Sequence, residues 1–209
     1  MNSFRPAGGG SIDVCVVITN QNQGTLLDRC IRSCVGQTFP GRFHEVVVAD
    51  AGSKDFSREI LGAYSNRIVP VLLDPPSSLE EAAATALKKA DARYVVQMRS
   101  QDFISDYMIL FQAVWLYQNY EHDGVCVDYW LVEPDSDSKV QRVSALEKPC
   151  PYGTMVRKEV LIKEGLYEPG RKEWDAEKLQ KEMAKKYRIG HIPIPFYRYQ
   201  LEKTAEALK

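Results

Sequence analysis

Continuous apolar runs alternate with helical segments in the first half of the chain, and this alternation restricts the fold more than any other feature. The runs lack the regular polar positions of a strand that faces water, so we expect strands that are covered on both faces. The predicted strands are 13–19, 44–50, 68–73 and 93–98. The predicted helices between them are 25–34, 56–64 and 79–90. This order predicts one α/β domain with a mostly parallel central sheet flanked by helices.

Two of these helices begin at recognisable capping residues. Thr25 follows Gly24 and is predicted to cap the first helix, because a hydroxyl oxygen can accept from the free amide groups of a first turn. Ser78 and Glu81 have the spacing of a capping box at the start of the third helix. The second half of the chain is less regular. Its predicted elements are an aromatic-rich helix at 107–120, a hairpin of 125–132 with 140–146, a helix at 157–164 ending at Gly165, a charged helix at 175–187 and an extended segment at 188–199.

Composition and charge exclude several classes of function. The 209 residues carry a formal net charge of −1, so no overall positive field favours nucleic acid or an anionic membrane surface. No apolar run approaches the roughly 20 residues that span a bilayer. Residues 1–11 have the composition of a flexible leader, without the apolar stretch of a signal peptide. We therefore expect a soluble, cytoplasmic protein with a domain at 12–200 and a short tail at 201–209.

The five cysteines agree with that expectation. Their number is odd, and they lack the paired close spacing of a zinc site. We expect reduced thiols that pack as small apolar side chains, as in other cytosolic proteins.

Polar side chains cluster where three of the predicted strands end. These clusters are 19–22, 50–53 and 99–102. Because ligands of open α/β sheets collect at the carboxyl ends of parallel strands, we expect the three clusters to form one site.

Six segments resemble motifs of the family 2 glycosyltransferases, in the order and spacing of that family. The segments are 18–24, 37–40, 46–53 with Asp55, 94–103, 153–167 and 187–199. The resemblance covers about residues 12–200 and implies the GT-A fold. It also implies inverting transfer of a sugar from a nucleotide-diphosphate donor to an acceptor hydroxyl, on a glycan or another molecule that the sequence does not identify.

The resemblance assigns nucleotide-binding roles to residues at the strand ends. They are Thr19, Asn20, Gln21, Asp50, Arg99 and Asp102. Asp50 matches the aspartate that contacts the nucleotide base in the family, and the alternative is a carboxylate that caps the turn at Gly52 and Ser53. Gln21 replaces an aromatic residue and cannot stack on a base as a ring would.

The metal motif of the family is altered in this chain. Arg99 and Gln101 stand where the two aspartates of Asp-x-Asp are expected, so Asp102 is the one candidate metal ligand. A magnesium or manganese ion prefers several carboxylate oxygens, and an adjacent guanidinium repels it. We therefore expect no ordinary two-carboxylate metal site. Arg99 has two open interpretations: a direct partner for the diphosphate, or an ion pair with Asp102 or Asp50.

The resemblance also implies a catalytic base at the start of the predicted charged helix. Asp175 is the candidate and Glu173 the reserve, while the alternative for both is a carboxylate that complements the helix dipole. The altered positions leave a second hypothesis for the whole chain. It is a degenerate GT-A domain that acts as a binding or assembly module in association with other glycosyltransferase domains.

Overall fold

The computed structural model describes residues 13–39, 44–75, 77–134, 138–165, 183 and 185–201. The strands are β1 (Val14–Asn20), β2 (His44–Asp50), β3 (Val69–Leu72), β4 (Tyr94–Arg99), β5 (Phe103–Ile104), β6 (Gly124–Val132), β7 (Lys139–Val143), β8 (Met155–Arg157) and β9 (Ile189–Gln200). The helices are α1 (Gly24–Val35), α2 (Ser57–Ala63), α3 (Leu79–Lys89), α4 (Met108–Gln118) and α5 (Lys158–Lys163). The predicted leader, and the predicted tail beyond Leu201, lie outside the described residues.

The strands form one sheet in the order β3-β2-β1-β4-β8-β6-β9-β5, with β7 added beside β6. The four strands β3, β2, β1 and β4 are parallel, as the strand–helix alternation predicts, and β6 is parallel to β9. The short strand β8 runs antiparallel between β4 and β6 and joins the two parallel groups. The predicted hairpin of β6 with β7 is present. The prediction of an α/β domain with a mostly parallel central sheet is confirmed.

Residues of β1 face two hydrophobic cores, which explains the continuous apolar run. Val14, Val16 and Ile18 pack with helices α1 and α4 on one side of the sheet. Cys15 and Val17 pack on the other side, against the alanine-rich face of α3. Since alternate side chains of a strand point to opposite faces, both faces must be apolar to be covered.

The two predicted helix caps differ in outcome. The Ser78–Glu81 capping box is present, with both reciprocal hydrogen bonds. The prediction for Thr25 is wrong, because α1 begins at Gly24 and no side chain of the N-cap residue makes a capping hydrogen bond. The amide of Gly24 instead donates to Asp55 Oδ2 at 2.9 Å, so a residue from the loop after β2 takes the role.

All five cysteines are buried and free, which confirms the expectation of reduced core thiols. Burial raises the pKa of the Cys126 and Cys150 thiols to about 12, so both stay protonated at neutral pH. No described helix has the length and apolar character needed to cross a membrane.

Candidate active site

The carboxyl ends of β1, β2 and β4 meet at one edge of the sheet. Thr19 pairs with Arg99 on β4 and with Ala49 on β2, and Asn20 pairs with Asp50. The expected convergence of the three polar clusters is therefore confirmed. It follows from the parallel order of these strands, which brings all three ends to the same side.

A cavity of about 500 Å³ opens at this edge. Its walls come from the ends of β1 and β4, the start of α3, the loop before β8 and the carboxyl end of β9. The lining residues are Thr19, Gln21, Gln23, Leu79, Glu80, Ala83, Gln97, Arg99, Ser100, Gln101, Tyr152 and Tyr199. Among these described residues only Glu80 and Arg99 carry charge. The lining is thus dominated by amides, hydroxyls and two tyrosine rings.

The nucleotide-binding residues predicted from the sequence fall into two groups. Thr19, Gln21 and Arg99 line the cavity. Asn20, Asp50 and Asp102 lie behind the lining, with no exposed surface. In this second group every side chain bonds to other protein groups, so in this structure the three residues support the cavity wall.

Asp50 shows this support most clearly. Its carboxylate accepts the Ser53 amide at 2.9 Å, the Ser53 hydroxyl, and the Asn20 side-chain amide at 2.8 Å. Gly52 in this turn has a φ of 75°, in the left-handed region that favours glycine. Asp50 therefore caps the turn, which is the alternative that the sequence left open. A direct contact with a nucleotide base stays a prediction.

Gln21 joins the end of β1 to two neighbouring loops. Its side-chain nitrogen donates to the backbone oxygens of Ala51 at 3.1 Å and Ser77 at 3.3 Å. These bonds hold the glutamine at the cavity mouth and leave its side-chain oxygen as an acceptor for a ligand.

Arg99 makes a bidentate ion pair with Asp102. Its Nε lies 2.7 Å from Asp102 Oδ2, and its Nη2 lies 2.8 Å from Asp102 Oδ1. Nη2 also donates to the backbone oxygen of Gln200 at 2.9 Å. Burial opposes the positive charge, but the Asp102 carboxylate outweighs it and raises the pKa of Arg99 further above its ordinary value. Arg99 is therefore a permanent cation in the cavity wall, and the ion-pair interpretation with Asp102 is realised.

Two tyrosines of the cavity flank this guanidinium. The Cζ atom of Arg99 lies 3.8 Å from the ring centroid of Tyr199 and 5.4 Å from that of Tyr152. Burial raises the pKa of Tyr152 to about 12, so it keeps its hydroxyl proton at neutral pH. Sequence reasoning did not select either tyrosine as a site residue. Tyr199 lies within one of the motif segments and could have been found there, whereas Tyr152 comes from a loop with no sequence signal.

The described residues of this cavity do not fit a divalent metal ion. No group of three or more metal-ligating side chains occurs in the part of the chain that the structure describes. Asp102, the candidate ligand, already binds Arg99 with both oxygens. The two base candidates, Asp175 and Glu173, lie outside the described residues.

Comparisons with known proteins agree with this architecture. The sequence model for glycosyl transferase family 2 matches residues 15–196. No curated protein matches the chain in sequence. Among solved structures, S. aureus TarS superposes with a TM-score of 0.74 at 19% identity, over 90% of this chain and 37% of TarS.

Two further structures contain donor ligands. TarS 1–349 in complex with UDP-GlcNAc has a TM-score of 0.74 at 18% identity, over 94% of this chain and 60% of that one. The mannosyltransferase PcManGT from Pyrobaculum calidifontis, in complex with GDP-Man and Mn²⁺, has a TM-score of 0.72 at 17% identity, over 96% of this chain and 59% of that one. This chain thus spans less than two thirds of these proteins. At such identities the likeness establishes the fold, and because the family model covers most of the sequence, the chain belongs to glycosyl transferase family 2.

Proposed function

We propose that the chain transfers a sugar from a nucleotide-diphosphate donor to an acceptor hydroxyl, with inversion at the anomeric carbon. The observation that carries this proposal is the cavity at the carboxyl ends of β1 and β4, where Arg99 lies among mostly uncharged hydrogen-bonding side chains. This is the edge at which open α/β sheets bind ligands. Relatives with the same fold have been crystallised with UDP-GlcNAc and GDP-Man.

Apart from Glu80 and Arg99, the described lining is uncharged, which suits the sugar of such a donor. Gln23 and Gln101 contribute side-chain amides that make no hydrogen bond within the described part of the chain. An amide both donates and accepts, so it can pair with sugar hydroxyls in either direction. The Tyr152 and Tyr199 rings offer flat apolar surface beside them.

The reaction needs positive charge where the diphosphate departs. Arg99 is the only cationic side chain among the described residues of the cavity. A fixed guanidinium stabilises charge that develops on the leaving group and needs no reorganisation at the moment of reaction. Arg99 is therefore assigned to the diphosphate.

The acceptor hydroxyl must lose its proton as it attacks. Its oxygen forms a bond to the anomeric carbon, while the bond from that carbon to the diphosphate breaks and the diphosphate keeps the electron pair. We assign the proton to the carboxylate of Asp175, with Glu173 in reserve, because the family resemblance marks this segment.

One set of variants tests the proposal. The wild type is assayed for sugar transfer and hydrolysis with a panel of UDP and GDP sugars, and Asp175→Asn and Glu173→Gln are assayed with any active donor. Asp175→Asn should lower turnover by roughly a hundredfold or more without weakening donor binding, because a general base acts in the transition state. Glu173→Gln should stay close to the wild type.

The opposite results have separate meanings. Full activity of Asp175→Asn together with loss in Glu173→Gln would move the role of base to Glu173. Absence of turnover with every donor would contradict the transferase assignment and favour a binding module.

A further inference from the structure

We infer that the Arg99 guanidinium is the resident cation of this site, so that a nucleotide diphosphate binds here without a divalent metal ion. The part of this inference that concerns nucleotides rests on the proposed function. The part that concerns metal does not, since it depends only on the oxygen atoms around Arg99.

Three oxygen atoms surround the guanidinium as they would surround a bound cation. Two belong to the carboxylate of Asp102, at 2.7 and 2.8 Å, and the third is the backbone oxygen of Gln200, at 2.9 Å. Carboxylate and carbonyl oxygens are also the ligands that magnesium and manganese prefer. The guanidinium thus takes up the oxygen ligands that the described chain offers at this point.

Asp102 has no capacity left for a metal ion. Besides the two bonds from Arg99, Oδ1 accepts the Gln200 amide at 2.8 Å, and Oδ2 accepts the Tyr197 hydroxyl. Four hydrogen bonds account for the lone pairs of an ionised carboxylate. A metal ion would have to displace Arg99 and leave a charged guanidinium in a buried position, which is strongly unfavourable.

A second layer of contacts fixes the third oxygen. Arg29 Nη2 lies 2.6 Å from the side-chain oxygen of Gln200 and 3.3 Å from the backbone oxygen of Gln101. The side-chain nitrogen of Gln200 donates to the backbone oxygen of Glu133 at 3.0 Å. Both polar atoms of the Gln200 side-chain amide are therefore hydrogen-bonded. As a result, the oxygen ligands of Arg99 cannot easily rearrange around another cation.

One edge of Arg99 remains for a ligand. Nε and Nη2 are engaged, whereas Nη1 makes no hydrogen bond within the described residues. Asp102 is fully buried behind the guanidinium, and the side chain of Arg99, which lines the cavity, keeps 12% of its surface exposed. An anion in the cavity therefore meets the cation before the carboxylate, and Nη1 can donate to a phosphate oxygen.

Manganese binding is the first test, and it needs no nucleotide. Titration of the wild type with Mn²⁺, followed by the electron paramagnetic resonance signal of the free ion, should show no site tighter than about 1 mM, because the described residues offer no open set of carboxylates. The double variant Arg99→Asp/Gln101→Asp removes the guanidinium and adds two carboxylates beside Asp102. It should gain a site at least tenfold tighter than any in the wild type.

Gln101→Asp alone is the matched control. It adds a carboxylate to the cavity but keeps the hydrogen bonds of Arg99 to Asp102 and Gln200, so it should not gain the Mn²⁺ site. This variant also keeps the experiment decisive if the double variant does not fold, since Gln101 is a partly exposed cavity residue whose side chain makes no hydrogen bond within the described part of the chain.

Nucleotide binding is the second test. The thermal unfolding midpoint of the wild type is measured with UDP and with GDP, in EDTA and in Mn²⁺. A metal-independent site should give the same apparent Kd in both conditions, to within about twofold.

Each outcome separates the two proposals. A sub-millimolar Mn²⁺ site in the wild type, or a nucleotide shift that needs Mn²⁺, would overturn the metal-free inference and leave sugar transfer standing. Failure of both nucleotides to bind in either condition would count against the proposed function, while the Mn²⁺ titration would still decide the nature of the cation site.

Discussion

Single residues at the carboxyl edge of the sheet owe their roles to their hydrogen-bond partners as much as to their chemistry. Asp50 and Asp102 attract attention in the sequence because each is a carboxylate at the end of a predicted strand. Both lie at the carboxyl edge of the sheet as expected, but the structure buries both carboxylates, and each accepts hydrogen bonds from other protein groups. Their contact with a nucleotide stays a prediction. The sequence offered the Arg99 ion pair and the turn at Ser53 as alternatives. It could not show the two further donors to Asp102, because Gln200 and Tyr197 lie 98 and 95 residues away.

The ion pair of Asp102 leads to a stability prediction at this scale. Asp102→Asn keeps the shape of the side chain but leaves Arg99 charged, buried and without its counter-ion. Breaking one partner of a buried pair costs about 3 kcal/mol or more, so urea-induced unfolding should shift to clearly lower urea concentration. Glu159→Gln is the control, because Glu159 is 79% exposed and lies 4.0 Å from Arg157. Equal midpoints for the two variants would contradict the role of Asp102.

The helices and strands were predicted from hydrophobic periodicity, and the prediction succeeded where an element is long and packed on both sides. The strands β1, β2 and β4 and the helices α1 and α3 lie close to their predicted bounds. The strands β5 and β8 were not predicted, because two or three residues do not define a period. β8 pairs with β4 on one side and with β6 on the other, so it depends on long-range strand pairing that a local sequence pattern does not show.

Strand β9 contains a position where the packing admits no side chain. A Cβ atom on Gly190 would lie 1.8 Å from Cη2 of Trp115 on α4. Gly190→Ala should therefore push α4 away from the sheet and lower the free energy of unfolding by about 2 kcal/mol or more. Calorimetric or urea unfolding measures the effect directly.

Gly62 offers a matched control for this variant. It lies inside α2, and a Cβ atom there would meet nothing within 4 Å. Gly62→Ala should stabilise the protein by about 0.5–1 kcal/mol, since alanine has the higher helix propensity. Replacing Trp115 by leucine should remove most of the cost of Gly190→Ala if the ring is the cause, whereas a cost that persists in the double variant would assign the effect to the backbone.

On the scale of the whole molecule, the two parallel strand groups that β8 joins also contact each other at the site. β9 crosses the far half of the sheet beside β6, and its last residue, Gln200, bonds to Arg99, Asp102 and Arg29 of the first half. The second half also supplies Tyr152 and Tyr199 to the lining, so the complete cavity needs both halves to be folded. This dependence explains why the strand-end rule located the edge of the site from the sequence but could not supply Tyr152 or Tyr199, which belong to the second half.

The opposite edge of the sheet gives the last prediction, on the stability of the whole molecule against pH. His44 begins β2, at the end of that strand remote from Asp50, and Nε2 of His44 is buried without a hydrogen-bond partner in the described structure. Burial lowers the pKa of His44 from 6.5 to about 4. The unfolded chain thus binds a proton between these values that the folded chain does not bind. Stability should therefore fall as the pH decreases from 6.5 towards 4.

The described acidic residues with a shifted pKa are Asp55, Asp128 and Glu164, and all three titrate at or below about pH 4.5. Hydrogen bonds outweigh burial and lower the pKa of Asp55 and of Asp128 below 3.8, so their contribution to stability is lost only below about pH 4.

The free energy of unfolding of the wild type, measured in urea, should fall by about 2 kcal/mol between pH 7 and pH 4.5 because of His44. His44→Leu should remove that slope, because leucine does not titrate. Val46→Ala, a cavity in the same strand, should lower stability equally at both pH values. An unchanged slope in His44→Leu would show that another group takes up the proton.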